Sequence, residues 1–194
     1  MSVEMKDIIT LDVSDEVIAQ AQRIRKERDE KYDNIFPEIE TDMRWSGEIG
    51  EIMTERLFSH VSKAHTNWIL DDVTKGGDFK FFGLDVDVKT VKRQVPIRPW
   101  YQAQITPRHA NKPVDYLLFT CYEFPVKKLH LLGVMKKEEF LQKARYYKVG
   151  EFVHKDYEIR KGREIYAVVI SEMTPVLTFI NQAIDQYQER NRVA

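Results

Sequence analysis

The side chains best able to do chemistry in this 194-residue chain are concentrated in residues 76–90, GGDFKFFGLDVDVKT. If residues 84–91 form a strand, side chains alternate between its two faces. Val86 and Val88 then turn one way, while Asp85, Asp87 and Lys89 turn the other. Asp78 lies in a preceding strand, across a tight turn at Gly83, where it can approach the same cluster. Upstream, Glu48, Glu51 and Glu55 fall at spacings of three and four, one stripe of a helix. Gly47 and Gly50 would let that helix sit close on a sheet, so that one Glu faces Asp78 and Asp87. Converging carboxylates repel one another unless a hard cation sits among them. Mg²⁺ takes oxygen ligands, commonly one or two carboxylates plus waters, and activates bound water while neutralising charge on a leaving oxygen. A lysine two residues from a ligating aspartate, on the same face, can orient the attacking water or stabilise the transition state. These parts suit phosphodiester hydrolysis.

A lone D-x-K triplet arises by chance in charged strands. A Gly-Asp nine residues ahead of it, and a helical Gly-x-x-Gly-Glu ahead of that, make the pattern far more specific. Together, Gly47-Glu48-Ile49-Gly50-Glu51, Gly77-Asp78 and Asp87-Val88-Lys89-Thr90 resemble the PD-(D/E)xK, or restriction-endonuclease-like, metal-dependent nucleases. The resemblance covers residues 45–91, and Gly77 stands where the family has proline. It implies a restriction-endonuclease-like core, Mg²⁺ (with Mn²⁺ as a substitute) held by Asp78, Asp87 and the Val88 carbonyl, Lys89 as the catalytic lysine, and Glu51 as the helix acid, with Glu48 as the alternative. Some members contact substrate through a glutamine on a later helix, for which Gln102 and Gln104 are the candidates. Double-strand cutting in this family is often dimeric, so a homodimer is an expectation as well.

The elements that would position these groups follow from periodicity and punctuation. A first helix starts at Ser14, with Asp15 and Glu16 suiting its dipole; Val17, Ile18, Ala21 and Ile24 form its apolar face, and the charged run RKERDEKYD ends it. A second helix runs over residues 42–60. Strands are expected at 68–73, 78–82, 84–91, 116–122, 129–134 and 164–171. A short helix is expected at 136–145, and a final one opens at Thr174-Pro175. The mixture points to an α/β or α+β domain with a central mixed sheet flanked by helices, one domain over 1–194 with its core at about 42–172.

Composition bounds the function. The chain is 43% hydrophobic and 31% charged, with net charge −1, which excludes a disordered tail or a disulfide-stapled mini-domain. One cysteine, Cys121, suits a reducing intracellular compartment and a buried, unreactive role. No apolar run reaches the ~20 residues of a membrane span, and residues 1–10 lack a secretory pattern. The five histidines show no zinc spacing, and Gly47-x-x-Gly50 falls short of a dinucleotide fingerprint. The near-neutral charge is an average. Residues 1–60 hold eight basic and fifteen acidic side chains, whereas residues 88–112 hold six basic ones and no acid. There Lys92, Arg93, Arg98, Arg108 and Lys112, interleaved with Trp100, Tyr101 and His109, are the expected nucleic-acid contacts. DNA is the expected partner; restriction, repair, recombination and phage or viral genome processing are all compatible with it. The competing readings are a binding or assembly module of the same fold without turnover, and an interaction protein whose charged hairpin merely faces water.

Overall fold

A computed structural model describes residues 3–32, 43–69, 76–155 and 157–193. In chain order the elements are β1 (Ile9–Asp12), α1 (Asp15–Tyr32), α2 (Ser46–Ser62), β2 (Thr66–Trp68), β3 (Phe79–Phe81), β4 (Leu84–Arg93), β5 (Gln102–Ile105), α3 (Pro107–Ala110), β6 (Tyr116–Glu123), β7 (Lys128–Lys136), α4 (Lys137–Lys143), β8 (Arg145–Tyr147), β9 (Phe152–His154), β10 (Tyr157–Glu158), β11 (Ile165–Val169) and α5 (Val176–Val193). A six-stranded sheet has the order β1-β7-β6-β4-β3-β2. Only β4 and β6 run parallel, with Lys89 opposite Phe119, so the sheet is mixed. A second sheet, β5-β11-β8, and a ribbon, β10-β9, complete the fold. The expected α/β class with a mixed, helix-flanked sheet is observed.

Each face of the main sheet buries its own core, because the strands alternate. On β6, Leu118 and Tyr122 join α1, α2 and α5 in one cluster, while Leu117, Phe119 and Cys121 join Ala103, Ile105, Val168 and Phe140 in the other. Phe58 of α2 anchors the first cluster, edge-on to Phe79 and Phe81 at 5.0 and 4.8 Å, a geometry worth about 0.5–1.5 kcal/mol per pair beyond burial. Cys121 is buried as expected, and its low-dielectric surroundings push the thiol up to about 12.

Three sequence expectations need correction. The run RKERDEKYD does not end α1, which continues through it to Tyr32. Its charges pair within the helix (Arg25–Asp29, Lys26–Glu30) and with Arg44, Glu48 and Glu51, so the helix is satisfied there by ion pairs instead of stopping. α2 begins at Ser46, and the expected start at Asp42 lies outside the described residues. The strand expected at 68–73 is β2, ending at Trp68; residues 70–75 are outside the described set. The Gly83 turn is a two-residue hairpin whose central residues both have positive φ, Phe82 at 48° and Gly83 at 84°. Such a turn matches the twist of its strands. Phe82 tolerates the left-handed conformation because its ring is clamped between His65, stacked at 4.3 Å, and Tyr187.

Candidate functional site: an acidic cluster at the free edge of β4

β3 pairs with β4 only from Leu84 to Val86. Beyond that point Asp78 takes over the edge: its N–H donates to the Val86 carbonyl (2.8 Å) and its Oδ2 accepts the Val88 N–H (2.6 Å). This requires a glycine at 77, since a Cβ there would lie 2.5 Å from the Val86 carbonyl oxygen. The Gly-Asp pair thus places a carboxylate beside Asp87 where the strand edge opens.

Asp87 points to the face of β4 opposite Val86 and Val88, and its side chain is 0% exposed. Lys89 Nζ lies 2.7 Å from its Oδ2 and Lys112 Nζ lies 3.0 Å from its Oδ1. Lys89 also donates to the Val88 carbonyl at 3.2 Å. Lys112 reaches the site because its loop is tied to β4. Asp115 Oδ2 accepts the Asp85 N–H (2.8 Å), the Asp115 N–H donates to the Asp85 carbonyl (3.1 Å), and Lys137 Nζ holds the Lys112 carbonyl (2.6 Å).

From the other side α2 brings its acids. Its approach depends on Gly50, where a Cβ would collide with Thr90 Oγ1 and come within 2.8 Å of Thr120 Oγ1. Gly47, by contrast, faces open space. Glu51 is the acid that faces Asp78. Glu48 turns toward α1, where Arg28 donates to Glu48 Oε1 (2.9 Å) and grips Glu51 with both terminal nitrogens (3.0 and 2.7 Å). Arg25 adds a 3.4 Å contact to Glu48, and Arg44 grips Asp29 bidentately. Glu55 accepts from Ser59 on its own helix (2.6 Å).

The electrostatics follow from this crowding. Burial, then Glu51 and Asp87, push the Asp78 carboxyl up to about 7 against the pull of Lys89 and Lys112. Burial also works against the Asp87 charge, but Lys89 and Lys112 outweigh it and hold Asp87 below the usual carboxylate range. Lys89 is held above its ordinary value for the reciprocal reason: burial opposes its charge, and Asp87 and Asp78 overcome that. Glu48 is raised by burial and by Glu51. His109 on α3, hydrogen-bonded to Thr106 (2.9 Å), is driven down to about 3 by burial and by Lys89, and so stays neutral.

Asp78 supplies a test. Its carboxyl titrates near 3.8 when unfolded and near about 7 when folded, so between those values the folded chain keeps a proton the unfolded chain has lost. This contribution is complete below about pH 4 and fades as the pH rises to about 7; the raised Glu48 acts in the same sense. Urea unfolding of the metal-free protein should show that decline, and Asp78→Asn should make it shallower. An identical slope in the variant would refute the placement of Asp78.

Not every expected contact lies where the sequence suggested. Lys112 is bound to Asp87 instead of facing solvent, and the Arg93 guanidinium lies 4.1 Å over the Tyr101 ring. Lys92, Arg98 and Arg108 are exposed as expected. Gln102 and Gln104 sit on strand β5, not on a helix, because the β-branched and aromatic partners of β11 pair that segment into the second sheet; Gln102 donates to the Tyr147 hydroxyl (3.1 Å). Sequence reasoning missed Arg28, although a signal was present. Val17, Ala21 and Ile24 form the buried stripe of α1, and the next position on that stripe is 28. His109, expected as a ring for stacking on nucleic acid, is instead half-buried beside Lys89, and neither that place nor the structural role of Lys112 had a local signal.

Among the described residues, no three His, Cys, Asp or Glu side chains form a ready-made metal cage, and no helix is long and apolar enough to cross a membrane. A cleft of about 400 Å³ lined by Gln22, Arg25, Lys26, Asp29, Glu30 and Trp45 contains none of the expected site residues. No protein-family model matches the chain, and no curated protein matches it in sequence.

Proposed function

We propose that this protein is a Mg²⁺-dependent nuclease with a restriction-endonuclease-like core that hydrolyses phosphodiester bonds in DNA. The observation that carries the reading is the gathering of Asp78, Asp87 and Lys89, with Glu51 adding its charge to Asp78, at the free edge of β4, where the Asp87 carboxylate is wholly buried and faced only by ammonium groups among the described residues. The donor set consists of hard oxygens. Asp78, Asp87 and the Val88 carbonyl suit Mg²⁺, which needs only one or two carboxylates and completes its shell with water. The lack of a three-acid cage is therefore compatible with it. When bound, the ion would lower the pKa of a water and offset charge on the leaving oxygen. Lys89, held protonated by Asp87 and Asp78, is placed to orient the attacking water and to stabilise the transition-state phosphate. Arg28 holds the Glu51 carboxylate in one orientation behind Asp78. Neutral His109 keeps a further positive charge out of the cluster.

A second reading is a nucleic-acid-binding module of the same fold without turnover. The observation favouring it is that the chain's own cations already occupy its acids, Lys89 and Lys112 on Asp87 and Arg28 on Glu51. Incubation of supercoiled plasmid with the protein separates the two. Nicked and linear DNA that forms with Mg²⁺ or Mn²⁺ and is abolished by chelator supports the nuclease. Binding without cleavage of duplex, single-stranded and branched DNA selects the module.

A further inference from the structure

Of the five cations at 88–112 expected to meet nucleic acid, Lys112 binds Asp87 and Arg93 covers Tyr101, while Lys92, Arg98 and Arg108 stay exposed. Residues 145–163 are a second basic segment. They hold six basic side chains against three acidic ones. Arg145 reaches Glu151 at 3.6 Å. Lys148, Lys155, Arg160, Lys161 and Arg163 are exposed and make no ion pair among the described residues.

The same segment exposes aromatic rings. On β9 the side chains alternate, so Val153 turns inward onto a small core of Tyr147, Ile159, Ile165 and Ala167. Phe152 and His154 therefore turn outward. Tyr157 pairs across from His154, and their rings stack at 5.8 Å. Phe152 is 56% exposed and Tyr157 39%. Water-facing rings bordered by unpaired cations serve no packing purpose on a ribbon whose inner face already fills its core.

We infer that the outer face of the β9–β10 ribbon binds single-stranded nucleic acid. Phe152 and Tyr157 stack on unpaired bases, and the surrounding lysines and arginines hold phosphates. A duplex offers phosphates but keeps its base faces stacked, so the rings select the unpaired strand. The ribbon packs through Val153 on Tyr147 of β8 and on Ile165 and Ala167 of β11, and from there the second sheet leads to the acidic cluster. β8 pairs with β11 and β11 with β5, Gln102 of β5 bonds to Tyr147 of β8, and β5 runs into α3, which sets His109 beside Lys89. The binding face goes beyond the proposed hydrolysis and stands whether or not the carboxylates cut.

Fluorescence anisotropy in chelator tests this, using a labelled mixed-sequence DNA strand and its blunt duplex with the full chain. The wild type is expected to prefer the single strand by about tenfold or more. Phe152→Ala/Tyr157→Ala should lose about tenfold or more of that affinity while duplex binding stays within about twofold. Arg160→Ala/Lys161→Ala/Arg163→Ala should weaken both and flatten the salt dependence. Duplex bound as tightly as single strand, no binding to either, or full single-strand affinity in both variants would overturn the inference. Measurement in Asp87→Asn as well keeps the outcome apart from cleavage: retained binding with no activity in the wild type condemns only the nuclease reading.

Discussion

Asp87→Asn is expected to reduce Mg²⁺-dependent plasmid cleavage by about a thousandfold or more, the consequence of losing several kcal/mol of transition-state stabilisation at ~1.4 kcal/mol per factor of ten. The asparagine keeps the volume of a side chain that is 0% exposed, so the site does not collapse for want of packing. What it loses is the charge that holds Lys89 and Lys112 in place. Lys89→Met should act differently. It removes one donor from the transition state, a loss of about 10²–10³ in rate, yet it also removes the ammonium that competes for Asp87 Oδ2 at 2.7 Å. Metal affinity, read by calorimetric titration with Mn²⁺, should therefore vanish in Asp87→Asn and hold or tighten in Lys89→Met. Cleavage unchanged in both variants would exclude this site as the catalytic centre. Metal binding lost equally in both would make Lys89 a structural support.

Gly50→Val should be the most damaging single substitution outside the cluster. A Cβ at 50 already collides with Thr90 Oγ1, and valine adds two methyl groups at a helix–sheet contact with no space. Overpacking of this kind typically costs about 1–3 kcal/mol, and more where backbone must shift. At about 2–4 °C per kcal/mol for a chain of this size, the thermal midpoint should fall by about 2–12 °C. Because α2 also carries Glu51, any displacement moves an acid away from Asp78, so cleavage should fall further than stability alone explains. Gly47→Ala is the control. Its Cβ would meet open space, and relief of glycine's conformational entropy in the helix makes it neutral or stabilising by up to about 1 kcal/mol. Equal midpoints for the two variants would refute the close seating of α2 on β4 and β6.

The contrast between these glycines marks the limit of what periodicity can reveal. Both stand in one helix, and either could have marked a close approach. Only the register of α2 against Thr90 and Thr120 assigns that role to Gly50. The same holds for the acids. Helical spacing put Glu48, Glu51 and Glu55 on one stripe, but Ser59 takes Glu55, Arg28 of α1 binds both Glu48 and Glu51, and only Glu51 adds its charge to Asp78.

The local pattern by itself determined the strand of Asp85, Asp87 and Lys89, the hairpin that carries Asp78 ahead of it, the buried cysteine, the final helix and the mixed α/β class. Each depends on alternation, helical spacing or a turn residue, interactions that act within a few positions along the chain. The tertiary structure alone decided which charges are already bound. Arg28 reaches Glu51 from 23 residues away and Lys112 reaches Asp87 from 25 away, and the strength of an ion pair depends on distance and burial in space, not on sequence separation. A count of basic residues therefore located positive charge at 88–112, while packing bound Lys89 and Lys112 of that segment to Asp87 and left a second set of exposed cations around the β9–β10 ribbon.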